Sequence, residues 1–105
     1  ISLALVTQNV IMIISFGSKA TRAVWNGVWT KELPYNIQHV ARRKLRMINN
    51  AQNLLDLIVP PSNYLEKLKG NLDSYHSIRI NKQWRIIFIY VNGNASRVEI
   101  VDFHK

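Results

Sequence analysis

Tyr75-His-Ser-Ile-Arg-Ile-Asn-Lys-Gln-Trp-Arg-Ile-Ile-Phe-Ile-Tyr90 is the stretch whose reading decides the fold. Ile78 and Ile80 alternate with Ser77 and Arg79, the period of a strand with one buried face. From Trp84 to Tyr90 nearly every position is apolar, which predicts a strand covered on both faces and central in its sheet. Asn81-Lys82-Gln83 supplies the turn, asparagine being tolerant of tight backbone geometry. A connection of that length sets Ile80 opposite Trp84 and Arg79 opposite Arg85. Two guanidinium groups side by side repel each other, and an anion, phosphate above all, relieves that repulsion.

Downstream, Asn92-Gly93 is a strong two-residue turn signal. The segment Ala95 to Phe103 then reads as the last strand, with Val98, Ile100 and Asp102 on one face and Glu99, Val101 and Phe103 on the other. Upstream, Tyr64 to Leu68 is expected to form a short strand closed by Lys69-Gly70-Asn71, and Pro60-Pro61-Ser62-Asn63 breaks whatever precedes it. A long amphipathic helix is expected from Tyr35 to about Leu55, because Ile37, Ala41, Leu45, Ile48 and Leu55 fall on one face. Arg42, Arg46 and the flanking Arg43 form a basic ridge on its other side, while Lys44 borders the apolar stripe and is expected to snorkel to solvent. His39 reads as a surface residue.

Ser18 is a suitable cap for a first helix, in which Val24, Trp25, Val28 and Trp29 recur at helical spacing and Gly27 is a weakness. Both tryptophans are expected to pack, in the core or at an interface. Pro34 separates this helix from the next. Met12 to Phe16 reads as a first strand, and residues 1–11 as an extension upstream of a natural start, leaving 12–105 as a single domain. The resulting fold class is α+β, with two N-terminal helices on one face of a twisted, mostly antiparallel sheet whose other face can remain open.

Fourteen Lys and Arg against six Asp and Glu give a net charge of +8 on 105 residues. That excess points to a polyanionic partner, nucleic acid before anionic membrane. With no cysteine there are no disulfides or thiolate metal sites. His39, His76 and His104 show no ligand-like spacing, so no metal is expected. No apolar run approaches the length of a membrane span. The polar residues around the hairpin, Glu66, Lys69, Arg79, Arg85, Asp102 and His104, suit metal-free RNA cleavage. In that chemistry a base takes the ribose 2′-hydroxyl proton, an acid protonates the leaving oxygen, and cations stabilise the charge between. An ion pair between Asp102 and Arg85 would account for part of the same set without catalysis.

Three segments carry a resemblance: Leu65 to Asn71, Tyr75 to Phe88, and Val98 to Lys105. Together they are similar to the HigB-type, or plasmid-maintenance killer, toxins of the RelE/ParE superfamily. This resemblance implies a microbial-RNase-like fold and a type II toxin that cuts messenger RNA in the ribosomal A site without a cofactor. It also implies a cytoplasmic protein and a HigA-like helix-turn-helix antitoxin, through which alone operator DNA is reached. On the positions that match, Lys69, Arg79 and Arg85 would contact phosphate, His104 and Asp102 belong to the proton-transferring end, and Glu66 stands where a base is plausible. Arg42, Arg43, Arg46, Lys82 and Phe103 are the expected RNA and ribosome contacts. Phe103 departs from the family's tyrosine. A phenyl ring cannot exchange a proton, a loss of roughly 10²–10⁴-fold if the phenol is chemical. If the phenol instead stacks on a base, phenylalanine keeps about 1–3 kcal/mol of that contribution. A ParE-like gyrase inhibitor and a plain nucleic-acid-binding module are the alternatives.

Overall fold

The computed structural model describes residues 11–103. Five strands form one mixed sheet in the order β1-β5-β4-β3-β2. These are β1 (Met12–Ile13), β2 (Glu66–Lys67), β3 (Tyr75–Arg79), β4 (Trp84–Val91) and β5 (Asn94–Asp102). Only β1 runs parallel to its neighbour. Two helices, α1 (Lys19–Trp25) and α2 (Tyr35–Asn50), pack on one face.

The hairpin forms as its sequence requires. β3 and β4 are antiparallel with Arg79 opposite Arg85, and the Ile80 N–H donates to the Trp84 carbonyl. Asn81 Oδ1 accepts from the N–H groups of Gln83 and Trp84, which closes the turn through a side chain. β4 is central, and Arg85 to Phe88 are buried on both of its faces. Asn92 and Gly93 both take positive φ, as a two-residue hairpin turn demands.

β5 carries a bulge. Ile87 pairs with Glu99 and Ile89 with Ser96, so Phe88 faces both Arg97 and Val98, and Arg97 sits at φ 51°. This extra residue keeps Ala95, Val98 and Ile100 all on the core side. It also shortens the first strand. Ser15 turns to the bulge, accepting from the Arg97 N–H through its hydroxyl and from the Val98 N–H through its carbonyl, so the expected strand over Met12 to Phe16 is reduced to β1 and an isolated bridge at Phe16.

The core lies between the helices and the sheet, where Ile37, Ala41, Leu45 and Ile48 of α2 meet Ile78, Ile86, Phe88 and Val98. Ile11, the last residue of the stretch set apart as an extension, is fully buried there, and its N–H donates to the Ala51 carbonyl. Residues 1–10 lie outside the described residues.

Both helices end sooner than their periodicity suggests. Ser18 caps α1 as expected, its hydroxyl accepting from the Thr21 N–H. Gly27 is the terminator rather than an interior flaw: at φ 78° its N–H donates to the Val24 carbonyl, and the Val28 N–H donates to Ala23. Trp25 therefore packs against the core, whereas Trp29 lies beyond the helix, half exposed, with the Tyr35 ring tilted against it at 4.6 Å and the His39 ring nearly perpendicular to it at 5.4 Å. His39 thus has an aromatic neighbour. α2 stops at Asn50 because Asn53 starts a new turn, accepting from the Asp56 N–H while Asp56 accepts from Gln52. Leu55 is consequently 68% exposed and leaves the apolar stripe.

Lys44 does not snorkel. It is buried, and its ammonium donates to Asn63 Oδ1, while Asn63 Nδ2 donates to the Leu57 carbonyl at 3.0 Å. Burial, and secondarily the charge of Arg43, lowers the Lys44 pKa. This contact ties the loop before β2 to the second helix.

Candidate active site

The sheet face away from the helices carries every second residue of the hairpin. Arg79 on β3 and Arg85 on β4 are cross-strand partners, and Glu66 on β2 pairs with Ser77 two positions before Arg79. Pleating therefore delivers two cations and a carboxylate from three adjacent strands to one patch.

Arg85 is held most tightly. Its Nη1 donates to Glu66 Oε1 at 2.7 Å and its Nη2 to the Tyr64 carbonyl at 2.7 Å. The guanidinium side is 9% exposed against 54% for the glutamate, so the pair has a buried cationic end and a solvated anionic one. Burial lowers the Arg85 pKa, Glu66 opposes that through charge and hydrogen bond, and Arg79 adds to the lowering. An arginine stays protonated regardless, so the outcome is a desolvated cation with strong electrostatic reach. Among the described residues, Arg85 Nε and the buried Ser77 hydroxyl have no hydrogen-bond partner.

Arg79 lies over the Tyr64 ring, its Cζ 4.0 Å from the ring centroid. The Phe103 ring is 5.6 Å from the Arg85 Cζ, and the Phe103 N–H donates to the Gln83 carbonyl, which extends the sheet one residue past β5. Arg79, Arg85, Glu66 and Phe103 thus share one patch. Such a patch can bind an anion through planar forks and offers a carboxylate beside it.

Other candidate residues stand elsewhere. Asp102 pairs with Trp84 and so projects from the opposite side of β5 to Phe103, where its carboxylate accepts from the Gln83 amide at 3.1 Å. The ion partner of Arg85 is Glu66, not Asp102. Lys69 is exposed, two positions past the end of β2, and Lys82 is exposed in the hairpin turn. His104 lies outside the described residues. Arg42, Arg43 and Arg46 line a shallow open depression on α2 with His39, on the helical side of the molecule. Among the described residues no group of three or more His, Cys, Asp or Glu side chains is placed to hold a metal ion, and no helix is long and apolar enough to cross a membrane.

Tyr64 is the residue that sequence reasoning missed. It reads as the first position of a strand, yet it takes left-handed backbone at φ 47°, ψ 53°. Only its place after a proline-rich turn hints at that conformation.

Residues 15–104 match the family model described as the RelE-like toxin of the type II toxin–antitoxin system HigB. Toxin HigB-1 of Vibrio cholerae is 44% identical over 73 residues, 70% of this chain and 76% of that protein. A Haemophilus influenzae protein of unassigned function is 40% identical over 67 residues, 64% of this chain and 66% of its own. Endoribonuclease HigB of Proteus vulgaris is 29% identical over 93 residues, 89% of this chain and its own full length.

Proposed function

The chain belongs to the HigB-like family of RelE-like type II toxins, and from that premise we propose that it is an endoribonuclease that cuts messenger RNA held in the ribosomal A site. As a type II toxin it has an antitoxin partner. That partner is a HigA-like helix-turn-helix protein, through which the pair reaches operator DNA, and the toxin acts in the cytoplasm, where ribosomes are.

The observation that carries this reading is the Arg79–Arg85 pair on the sheet face away from the helices, with the Glu66 carboxylate 2.7 Å from Arg85. The two forks hold the non-bridging oxygens of the scissile phosphate and stabilise the charge that builds as the ribose 2′-oxygen attacks phosphorus. The bond to the 5′-oxygen breaks, leaving a 2′,3′-cyclic phosphate. In this reading Glu66 takes the 2′-hydroxyl proton and His104 gives a proton to the 5′-oxygen. Lys69 adds positive charge at the rim. Phe103 stacks on a base next to the cleaved bond rather than exchanging a proton, since its ring has none to give. The α2 ridge and Lys82 supply backbone contacts to ribosomal and messenger RNA.

Mapping of messenger 5′ ends after induced expression tests the proposal. Discrete new ends within translated reading frames are expected, and the Arg85→Ala variant leaves messages whole. Intact transcripts during growth arrest, with stabilised double-strand breaks in a purified gyrase assay, would overturn it in favour of a gyrase poison.

A further inference from the structure

Tyr64 touches both arginines of the site at once. Its carbonyl accepts from Arg85 Nη2 at 2.7 Å, and its ring lies 4.0 Å beneath the Arg79 guanidinium. It does so from left-handed backbone, which an L-residue with a bulky side chain adopts at a cost. The conformation persists because its neighbour is anchored. Asn63 is fully buried, donates to the Leu57 carbonyl, and accepts from the buried Lys44 ammonium of α2. The Tyr64 N–H also closes a turn onto the Pro61 carbonyl.

We propose that Tyr64 is the positioning residue of the arginine pair: its carbonyl fixes Arg85 and its ring carries Arg79, so both guanidinium groups are held in place before RNA arrives. Left alone, two adjacent cations would swing apart to lower their repulsion. A cation over an aromatic face is attracted to it, and a fork already hydrogen-bonded has little rotamer freedom left to lose. Tyr64 acts through the arginines and touches no reacting atom. The inference rests on the nuclease reading for its consequence in rate, but the placement of Arg79 can be read without it.

Three variants of the purified full chain decide the matter. Tyr64→Phe keeps ring and carbonyl. Tyr64→Gly keeps the carbonyl and suits left-handed backbone, but removes the ring. Tyr64→Asn does likewise with a side chain that tolerates this region, and serves if glycine loosens the loop. In wild type and Tyr64→Phe the Arg79 side-chain proton resonances are expected to be shifted upfield by the ring, and message cleavage on programmed ribosomes to proceed at the same rate. In Tyr64→Gly the shift is expected to vanish and the single-turnover rate to fall roughly 10²-fold. Its unfolding temperature and its KM for ribosomes stay near wild type. Adding Arg79→Ala to Tyr64→Gly should slow cleavage no further than Arg79→Ala alone, because both remove the same fork.

Wild-type cleavage by a folded Tyr64→Gly chain, or unchanged Arg79 resonances in it, overturns the proposal. If wild type itself leaves messages whole, the nuclease reading fails separately. Inorganic phosphate then replaces RNA as the probe: weaker binding by Tyr64→Gly sustains the positioning role, and equal binding overturns it.

Discussion

Arg79 and Arg85 on the sheet face away from the helices, and Arg42, Arg43 and Arg46 on α2, carry the same charge chemistry under opposite constraints. The sheet pair is locked. Arg85 is buried between a carboxylate and a carbonyl, and Arg79 lies on an aromatic ring. On the helix, Arg43 and Arg46 are exposed. Arg42 is intermediate: its Nε donates to the Trp25 carbonyl at 3.4 Å, and its guanidinium lies 3.2 Å from where a Cβ on Gly27 would stand. Chemistry on a phosphate needs cations fixed before the charge develops, whereas gripping a polyanion needs only mobile ones. Charge count alone would have favoured the helix. Constraint favours the sheet.

The largest effect expected of this contrast is in rate. Arg85→Ala should lower single-turnover message cleavage by about 10²–10³-fold. Arg43→Ala and Arg46→Ala should leave the rate at saturating ribosomes unchanged. Comparable losses from both regions would erase the distinction.

Stability comes next. Asn63→Ala leaves the Lys44 ammonium buried without its acceptor, and should destabilise the fold by about 2–3 kcal/mol in urea unfolding. Lys44→Met, which removes the charge together with the need to satisfy it, should cost less. If Lys44→Met costs more, the buried contact is an asset rather than a burden met by Asn63.

A smaller effect separates the regions by salt. Each ridge substitution should reduce the slope of log affinity against log salt by about 0.7–0.9, measured for binding to ribosomes or to single-stranded RNA. Affinity at any one salt should change only modestly.

The smallest effect concerns the helix-facing side of the arginine strand. His76 stacks on Phe88 at 6.2 Å with its Nδ1 buried and unpartnered among the described residues. Burial, then the charge of Lys67, lowers its pKa. The folded state therefore binds this proton less readily than the unfolded chain does. Its stability is full above about pH 6.5 and declines as pH falls from there toward the folded pKa. His76→Gln should flatten the unfolding temperature across that window while leaving cleavage per folded molecule alone.

Much of this architecture was legible in the residues, and the parts that were not share a cause. The hairpin, its turn and the Arg79–Arg85 pairing follow from a period of two and from local turn chemistry, both of which operate over a few residues. The core stripe of α2 follows from its period of 3.6 for the same reason. Helix ends did not, because Gly27 as an interior residue and Gly27 as a terminator look alike until φ is known. The grip on Arg85 did not either. Glu66 and Tyr64 reach it from 19 and 21 residues away, across an irregular loop that no periodicity describes. Lys44 sits on the border of an apolar stripe, and whether such a residue snorkels or is buried depends on a distant acceptor, here Asn63.

The most direct measurement is a structure of the toxin on a ribosome whose message carries a 2′-deoxynucleotide at the cleavage position, so that attack is blocked. The scissile phosphate should lie within hydrogen-bond distance of both Arg79 and Arg85, with Tyr64 still beneath Arg79. A phosphate seated on Arg42, Arg43 and Arg46, with the Arg79–Arg85 pair empty, would contradict it.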